Sequence, residues 1–378
     1  MTRRCSVAPP RWTALGLLYL VASAPACSHS EPFDNSQGTE EPFDPSPPIR
    51  LTFNPAHDGS PSWLADGSGI LYSAQQAERE DDDVCLAELP PTGGQQRRLT
   101  CDIPGDAEST DAAQSSAASP DGRVALLSAG NGNLGGTSPV FLELALIPTL
   151  DAVDAQRVRT LPFTPAGGTA QDYAGHLRWL TPDALVYVGQ RFVTQRACPA
   201  VTCPLDTLFV STEVTTLTVD GAAAGAVPGT ELATGVAPIE DGSAILYTLP
   251  NDTRLYRRVL ASGDVAVVYD FGAAGVVRDV HAAAGRVTAI VGGRVAFSVD
   301  PPVGPVQWDS GGVVHVLDLG GTSSQALDSQ GRLYRRPALS PDGSRVVAEG
   351  YPLVITGPPT DTDTTVGKSG DIYLFGGE

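Results

Sequence analysis

Six times along the chain one phrase returns: an apolar strand, a tight turn rich in Asp and Gly, then a second apolar strand. The turns fall at Asp66-Gly67, Asp121-Gly122, Pro182-Asp183, Asp241-Gly242, Ala284-Gly285 and Asp342-Gly343. Behind them come Ile70–Tyr72, Val124–Leu127, Leu185–Val188, Ile245–Tyr247, Val287–Ile290 and Val346–Ala348. Successive turns lie 43 to 61 residues apart. A period of that size means one supersecondary unit stacked many times, with each unit burying its faces only against its neighbours.

Four strands fit each unit. The first strands are expected just before the turns, at Pro61–Leu64, Ser116–Ser119, His176–Leu180, Val236–Ile239, Val280–Ala283 and Pro337–Ser340. Third strands follow at Val84–Leu86, Val140–Leu142, Leu208–Val210, Leu255–Tyr256, Val313–Val316 and Ile372–Phe375. Fourth strands follow at Arg98–Thr100, Val158–Leu161, Glu231–Ala233, Val265–Val268 and Gln325–Leu327. β-branched and aromatic residues dominate these runs, and long helical periodicities are nearly absent, so the class is all-β. The sixth unit shows no fourth strand of its own. Ile49-Arg50-Leu51-Thr52 matches Arg97-Arg98-Leu99-Thr100, so the first strand (49–52) is expected to join the last unit and close a ring with no open edge.

Residues 1–26 read as an export signal, with Arg3 and Arg4 ahead of a short apolar run from Thr13 to Ala24. That run is too short to span a bilayer, which takes roughly 20 residues. Ala24-Pro25-Ala26-Cys27 fits ordinary signal cleavage and also resembles a bacterial lipobox, in which Cys27 would carry the lipid. Cleavage before Cys27 leaves Cys27, Cys85, Cys101, Cys198 and Cys203. Lipidation accounts for the odd one. Residues 27–48 are expected to form a disordered acidic tether, repeating Glu31-Pro32-Phe33-Asp34 as Glu41-Pro42-Phe43-Asp44. Losing residues 1–26, with Arg3, Arg4 and Arg11 and no acid, takes three positive charges from a net −19 and leaves −22. Such a surface repels nucleic acid and anionic headgroups, so any membrane attachment is expected through a lipid alone.

The blocks Ala118-Ser119-Pro120-Asp121-Gly122-Arg123-Val124 and Leu339-Ser340-Pro341-Asp342-Gly343-Ser344-Arg345-Val346 resemble the Ser-Pro-Asp-Gly repeats of the TolB-type β-propeller. Ser60-Pro61-Ser62-Trp63-Leu64-Ala65-Asp66-Gly67 is a looser third copy. The resemblance covers 49–378 and implies a six-bladed propeller of four-stranded blades. It does not extend to the α/β domain that precedes the TolB propeller. It also implies that partner peptides are received at the mouth of the central channel.

Cys85 and Cys101 fall on the third and fourth strands of the first unit, in a register that can set them opposite each other. A bridge there, closing 15 residues, would contribute roughly 3 kcal/mol in the chain-entropy picture. Cys198 and Cys203 would close a small loop in the third unit. In an oxidising compartment two disulfides are the expected reading, and no His flanks either pair at zinc-ligand spacing. No metal, cofactor or catalytic residue is assigned. There is no Gly-x-Ser-x-Gly elbow. Asp81-Asp82-Asp83 and Asp361-Thr362-Asp363 lack the pattern of a calcium loop. The Asp of each Asp-Gly pair is expected to serve a two-residue hairpin.

Seven residues before each turn the chain reads Ser60, Ser115, His176, Gly235, Arg278 and Arg336. These positions would rim the channel. Ser60, His176, Arg278 and Arg336 are therefore the candidate binding residues, a cationic mouth on an acidic body. Arg pairs bidentately with carboxylates, so an acidic loop or chain terminus would fit. The competing reading pairs these cations with Asp58, Asp172 or Asp279. Trp63 and Trp179 hold equivalent first-strand positions and read as blade-core residues.

The expected function is a non-enzymatic, exported, monomeric propeller that is lipid-anchored in a bacterial cell envelope and binds a protein or peptide. One alternative is a lactonase- or dehydrogenase-like enzyme with a metal or cofactor in the channel. Another is a binder of carbohydrate or other small ligands.

Overall fold

The computed structural model describes residues 43–44, 46–54, 56–75, 84–100, 113–130, 141–148, 156–160, 169–196, 205–220, 224–292, 311–356, 363–366 and 370–376. The chain divides into two units, Met1–Ser30 and Glu31–Glu378. The first lies outside the described residues, and with it the expected signal and Cys27. Cys101, Cys198 and Cys203 also lie outside them. The second unit carries the described residues.

That unit is built of six antiparallel sheets. β1 (Ile49–Arg50) comes first in the chain. The first blade is β2 (Asp58–Trp63), β3 (Ile70–Gln75), β4 (Val84–Leu89) and β5 (Arg97–Arg98). The second is β6 (Ala113–Ala118), β7 (Val124–Gly130), β8 (Phe141–Ile147) and β9 (Gln156–Thr160). The third has long members, β10 (Thr169–Thr181), β11 (Ala184–Arg196) and β12 (Leu205–Thr218), and a short β13 (Ala224–Ala226). The fourth is β14 (Gly235–Ile239), β15 (Ala244–Thr248), β16 (Arg254–Val259) and β17 (Val265–Asp270). The fifth is β18 (Val277–Ala283), β19 (Arg286–Val291), β20 (Val313–Asp318) and β21 (Gln325–Ala326). The sixth contains β22 (Arg332–Leu339), β23 (Val346–Thr356) and β25 (Asp371–Phe375), with β24 (Asp363–Val366) on the far half of β23. The architecture is the expected all-β six-bladed propeller.

The outer strand of the sixth sheet is β1. Ile49 lies opposite Leu374 and Arg50 opposite Tyr373. Leu51 N–H donates to the Ile372 carbonyl at 2.8 Å, and Ile372 N–H donates to Thr52 Oγ1 at 3.0 Å.

The second strand of each blade lies between two neighbouring blades. That explains its unbroken apolar sequence: every residue of β15 and β19 is buried. Six apolar clusters fill the six spaces between blades. One of them brings Trp63, Ile70 and Tyr72 of the first blade against Ala338, Val347 and Leu374 of the sixth. A repeated latch adds to this packing. Trp63 Nε1 donates to the Ala338 carbonyl at 3.0 Å, one blade back, and Trp179 Nε1 donates to the Ala117 carbonyl at 2.9 Å. The Arg behind the preceding blade's Asp-Gly turn lies over each indole, Arg345 on Trp63 at 4.7 Å and Arg123 on Trp179 at 4.9 Å. Both tryptophans therefore serve the blade core and its joints.

Three expectations are corrected. The Asp-Gly turns are not two-residue hairpins: Gly67, Gly122 and Gly343 donate back three residues, to the Leu64, Ser119 and Ser340 carbonyls. Only the glycine of each of these three turns takes positive φ, and the Asp carboxylate instead accepts from Ser68, Ser119 or Ser340. In the fourth blade Glu240 and Asp241 are themselves left-handed. There the close approach of the Leu180 carbonyl leaves no room for a Cβ at Gly242. The outer strand of the third blade is Ala224–Ala226, not Glu231–Ala233. After it the chain turns and only touches the blade edge again, through Leu232 N–H to the Thr212 carbonyl. In the first blade Ala87 faces Arg98 and Glu88 faces Arg97, and Leu99 N–H and Thr100 N–H both donate to the Leu86 carbonyl, a bulge that takes up one residue ahead of Cys101, which lies outside the described residues. Finally, Phe43 was placed in the tether but is buried among Ala283, Val316, Leu339 and Phe375. Packed structure therefore begins before Ile49, because one aromatic side chain has an apolar slot waiting between two blades.

Candidate functional site: the two mouths of the channel

The innermost strands β2, β6, β10, β14, β18 and β22 surround the channel. Five of them begin with a bulge, where the register slips at Gly59–Ser62, Ala113–Ser115, Gly175–Arg178, Val277–Asp279 and Arg335–Ala338. A bulge inserts an extra residue and re-aims its side chain. At Ser60, His176 and Arg336 the extra residue is left-handed, with φ of 52°, 56° and 51°. Non-glycine residues adopt that conformation rarely and at a cost. Three of the four candidate binding residues therefore share one uncommon backbone state at equivalent positions.

This bulge mouth gathers Ser60, Pro61, Ser115, His176, Arg178 and Arg336 around one small pocket. Arg278 and Gly235 are not among its lining residues. Arg278 lacks the left-handed backbone of its counterparts, and its Nε reaches the Gly292 carbonyl at a long 3.4 Å. Gly235 lies in β14, which starts without a bulge.

The charges at this mouth are largely compensated by buried acids. Glu349 on β23 is fully buried. Its Oε1 accepts from Arg335 Nε at 2.8 Å and Nη2 at 2.6 Å, and from the Tyr351 hydroxyl. His57 Nε2 lies 3.3 Å from Oε1. Its Oε2 accepts from Ser60 N–H at 3.1 Å and from Arg336 Nη1 at 3.4 Å, while Arg336 Nη1 also donates to Ser60 Oγ at 2.6 Å. Burial pushes the Glu349 carboxyl upward, but Arg335, Arg336 and His57 outweigh it and hold it down at about 2. A Cβ on Gly59 would collide with His57 and Glu349, so this joint between the first and last blades also requires glycine there.

Across the mouth His176 Nδ1 lies 2.9 Å from Asp279 Oδ1, which also accepts Val280 N–H at 2.7 Å. Asp279 Oδ2 is buried without a hydrogen bond. The competing sequence reading thus holds for His176, and for Arg336 with Glu349 as its acid. The Asp58 carboxylate joins Asn54 instead, and the Asp172 side chain lies outside the described residues. Three guanidinium groups, Arg178, Arg335 and Arg336, meet two carboxylates here, Asp279 and Glu349.

The far end of the channel is the turn mouth. A cavity of about 90 Å³ there is lined by Trp63, Trp179, Pro238, Pro341, Arg178 and His281, among others. Arg178 borders both mouths. The sequence reading missed it because it lies two residues beyond His176, past the bulge. His281 was missed for the same reason, three residues beyond Arg278. Burial lowers the Arg178 affinity for its proton. Burial, together with the Arg178 charge, holds His281 well below the usual imidazole range. Among the described residues, no three His, Cys, Asp or Glu side chains are grouped to hold a metal ion.

No protein-family model matches this chain, and no curated protein sequence matches it. Solved structures resemble it in fold at low identity. A gluconolactonase from Xanthomonas campestris is 14% identical over 89% of this chain and 97% of its own, with a TM-score of 0.49. A putative TolB from Agrobacterium tumefaciens is 14% identical over 78% and 90%, with a TM-score of 0.47. The PQQ-bound aldose sugar dehydrogenase of Streptomyces coelicolor is 13% identical over 92% and 99%, with a TM-score of 0.46. A propeller fold by itself does not decide an activity.

Proposed function

We propose that this chain is a non-enzymatic, exported propeller, lipid-anchored through Cys27, that binds an acidic segment of an envelope protein at the bulge mouth. The observation that carries the reading is the local reversal of charge. The chain is strongly acidic, yet at this mouth guanidinium groups outnumber carboxylates, and three mouth residues are held left-handed. An acidic loop or carboxyl terminus would be drawn to that spot and repelled elsewhere on the body. The proposed Cys85–Cys101 bridge belongs to the same reading, because exported proteins form disulfides. Its support is that Cys85 is fully buried in β4 and disulfide-bonded.

The test is photo-crosslinking in intact cells of the native host. One probe replaces Ser115 at the mouth. A second replaces Val267, which is half exposed on the outer strand β17. The expected result is one dominant envelope protein captured from position 115 and not from 267, with capture falling in Arg336→Gln. Equal capture from both positions contradicts the reading. Arg336→Glu is a poor probe, because it would set a second carboxylate beside buried Glu349. Mass spectrometry of the mature amino terminus tests the anchor: diacylglycerol on Cys27 is expected, and an unmodified Cys27 contradicts it.

A further inference from the structure

We infer that the turn mouth is a second binding site, specific for a small organic carboxylate with a short apolar body. The site is built on Arg178. Its residue is 9% exposed, and its Nε is buried with no hydrogen-bond partner. Nη1 donates to the Leu177 carbonyl at 2.8 Å. That leaves the Nε–Nη2 edge, the side-on fork that binds a carboxylate through two parallel hydrogen bonds. Asp279 acts on this guanidinium by charge but not through a hydrogen bond: its Oδ1 takes His176 and Val280 N–H, and its Oδ2 is unbonded among the described residues. A buried guanidinium with an unused edge is a standing electrostatic cost, and an incoming carboxylate would remove it.

His281 supplies the second donor. Its Nδ1 accepts Leu339 N–H at 3.1 Å, so the ring proton is on Nε2. Held neutral, it remains a donor without adding a charge that would attract any anion. The cavity that Arg178 and His281 share is walled by Trp63, Trp179, Pro238 and Pro341. Both indole N–H groups are already bonded to backbone carbonyls, so the tryptophans offer the cavity their carbon atoms. One cationic fork, one neutral N–H and apolar walls within about 90 Å³ describe a short-chain monocarboxylate. A bare inorganic anion would leave the walls unused. A neutral amide would leave the fork unsatisfied.

The site lies at the opposite end of the channel from Ser115, so its test is independent of the crosslinking above. The probe is butyrate, titrated into the intact mature protein by calorimetry. Acetate, butyramide and chloride serve as comparisons. Butyrate is expected to bind at least 5-fold more tightly than acetate and at least 10-fold more tightly than butyramide, with chloride competing weakly. Arg178→Met should abolish the preference of butyrate over butyramide. His281→Phe should weaken butyrate several-fold, and His281→Gln, which keeps a donor, should weaken it less. Butyrate affinity should not change between pH 6 and pH 8. Equal binding of butyrate and butyramide by the wild-type protein overturns the proposal without reference to any variant. So does chloride competing as well as butyrate, or butyrate binding unchanged in folded Arg178→Met.

Discussion

The two ends of the channel use the same residue types in opposite ways. At the bulge mouth Arg335, Arg336, His57, Tyr351 and the Ser60 amide all converge on one buried carboxylate. At the turn mouth Arg178 is as deeply placed but keeps an unbonded Nε. The first arrangement joins the first blade to the last, so it is a structural seam as well as a rim. At the second, Trp63, Trp179 and His281 also tie neighbouring blades together, but Arg178 Nε makes no hydrogen bond among the described residues. A buried charge is strongly stabilising to keep where its partners would otherwise be stranded, and dispensable where it has none. The difference separates a joint from a site.

Mutation should expose that asymmetry. The largest effect is expected from Glu349→Gln, which leaves Arg335 and Arg336 facing a neutral amide across the seam. It should lower unfolding stability by about 3 kcal/mol in a urea titration at pH 7. The same group sets an acid limit. Because its folded pKa lies below the ordinary 4.5, its contribution is complete above that value and disappears as the pH falls toward about 2.

Asp58, on the first blade, runs the other way. Burial, the largest influence, raises it from 3.8 to about 6, and its Oδ2 has no partner. Its contribution is therefore complete below 3.8 and is lost as the pH rises through about 6. Asp58→Asn should raise stability at pH 7 by about 2 kcal/mol and flatten the decline between pH 4 and pH 6. A stability profile across that range for both proteins checks it.

Trp63→Phe and Trp179→Phe each remove one N–H bond between blades. Each should cost about 1 kcal/mol by urea unfolding. The two costs should match, because the latches are equivalent; a large difference would mean that the first–last joint is built differently from the others. The smallest effect is expected from Arg178→Met, within about 1 kcal/mol of wild type or stabilising, because no hydrogen-bonded acid is stranded.

Much of this was legible in the chain. The Asp-Gly turns placed all six innermost hairpins, and counting back seven residues found Ser60, His176 and Arg336, which share a backbone state. That worked because a short hairpin fixes spacing locally. Three kinds of feature were hidden. Bulges shift the register by one residue and do not act alike in every blade, so Arg278 fell outside the pocket that Arg336 lines. Partners came from distant blades: Ser60 meets Glu349 across 289 residues, with no local sign of the match. The tether's composition concealed Phe43, since one buried aromatic among polar residues leaves no periodic pattern. His281 and Arg178 lay beyond the positions that the turn spacing selected.

The bulge mouth is a compensated joint, while at the turn mouth Arg178 Nε makes no hydrogen bond among the described residues. The most direct measurement is parallel urea unfolding of Glu349→Gln and Arg178→Met at pH 7. A clearly lower midpoint is expected for Glu349→Gln and an unchanged or higher midpoint for Arg178→Met. Equal losses, or the reverse order, would contradict it.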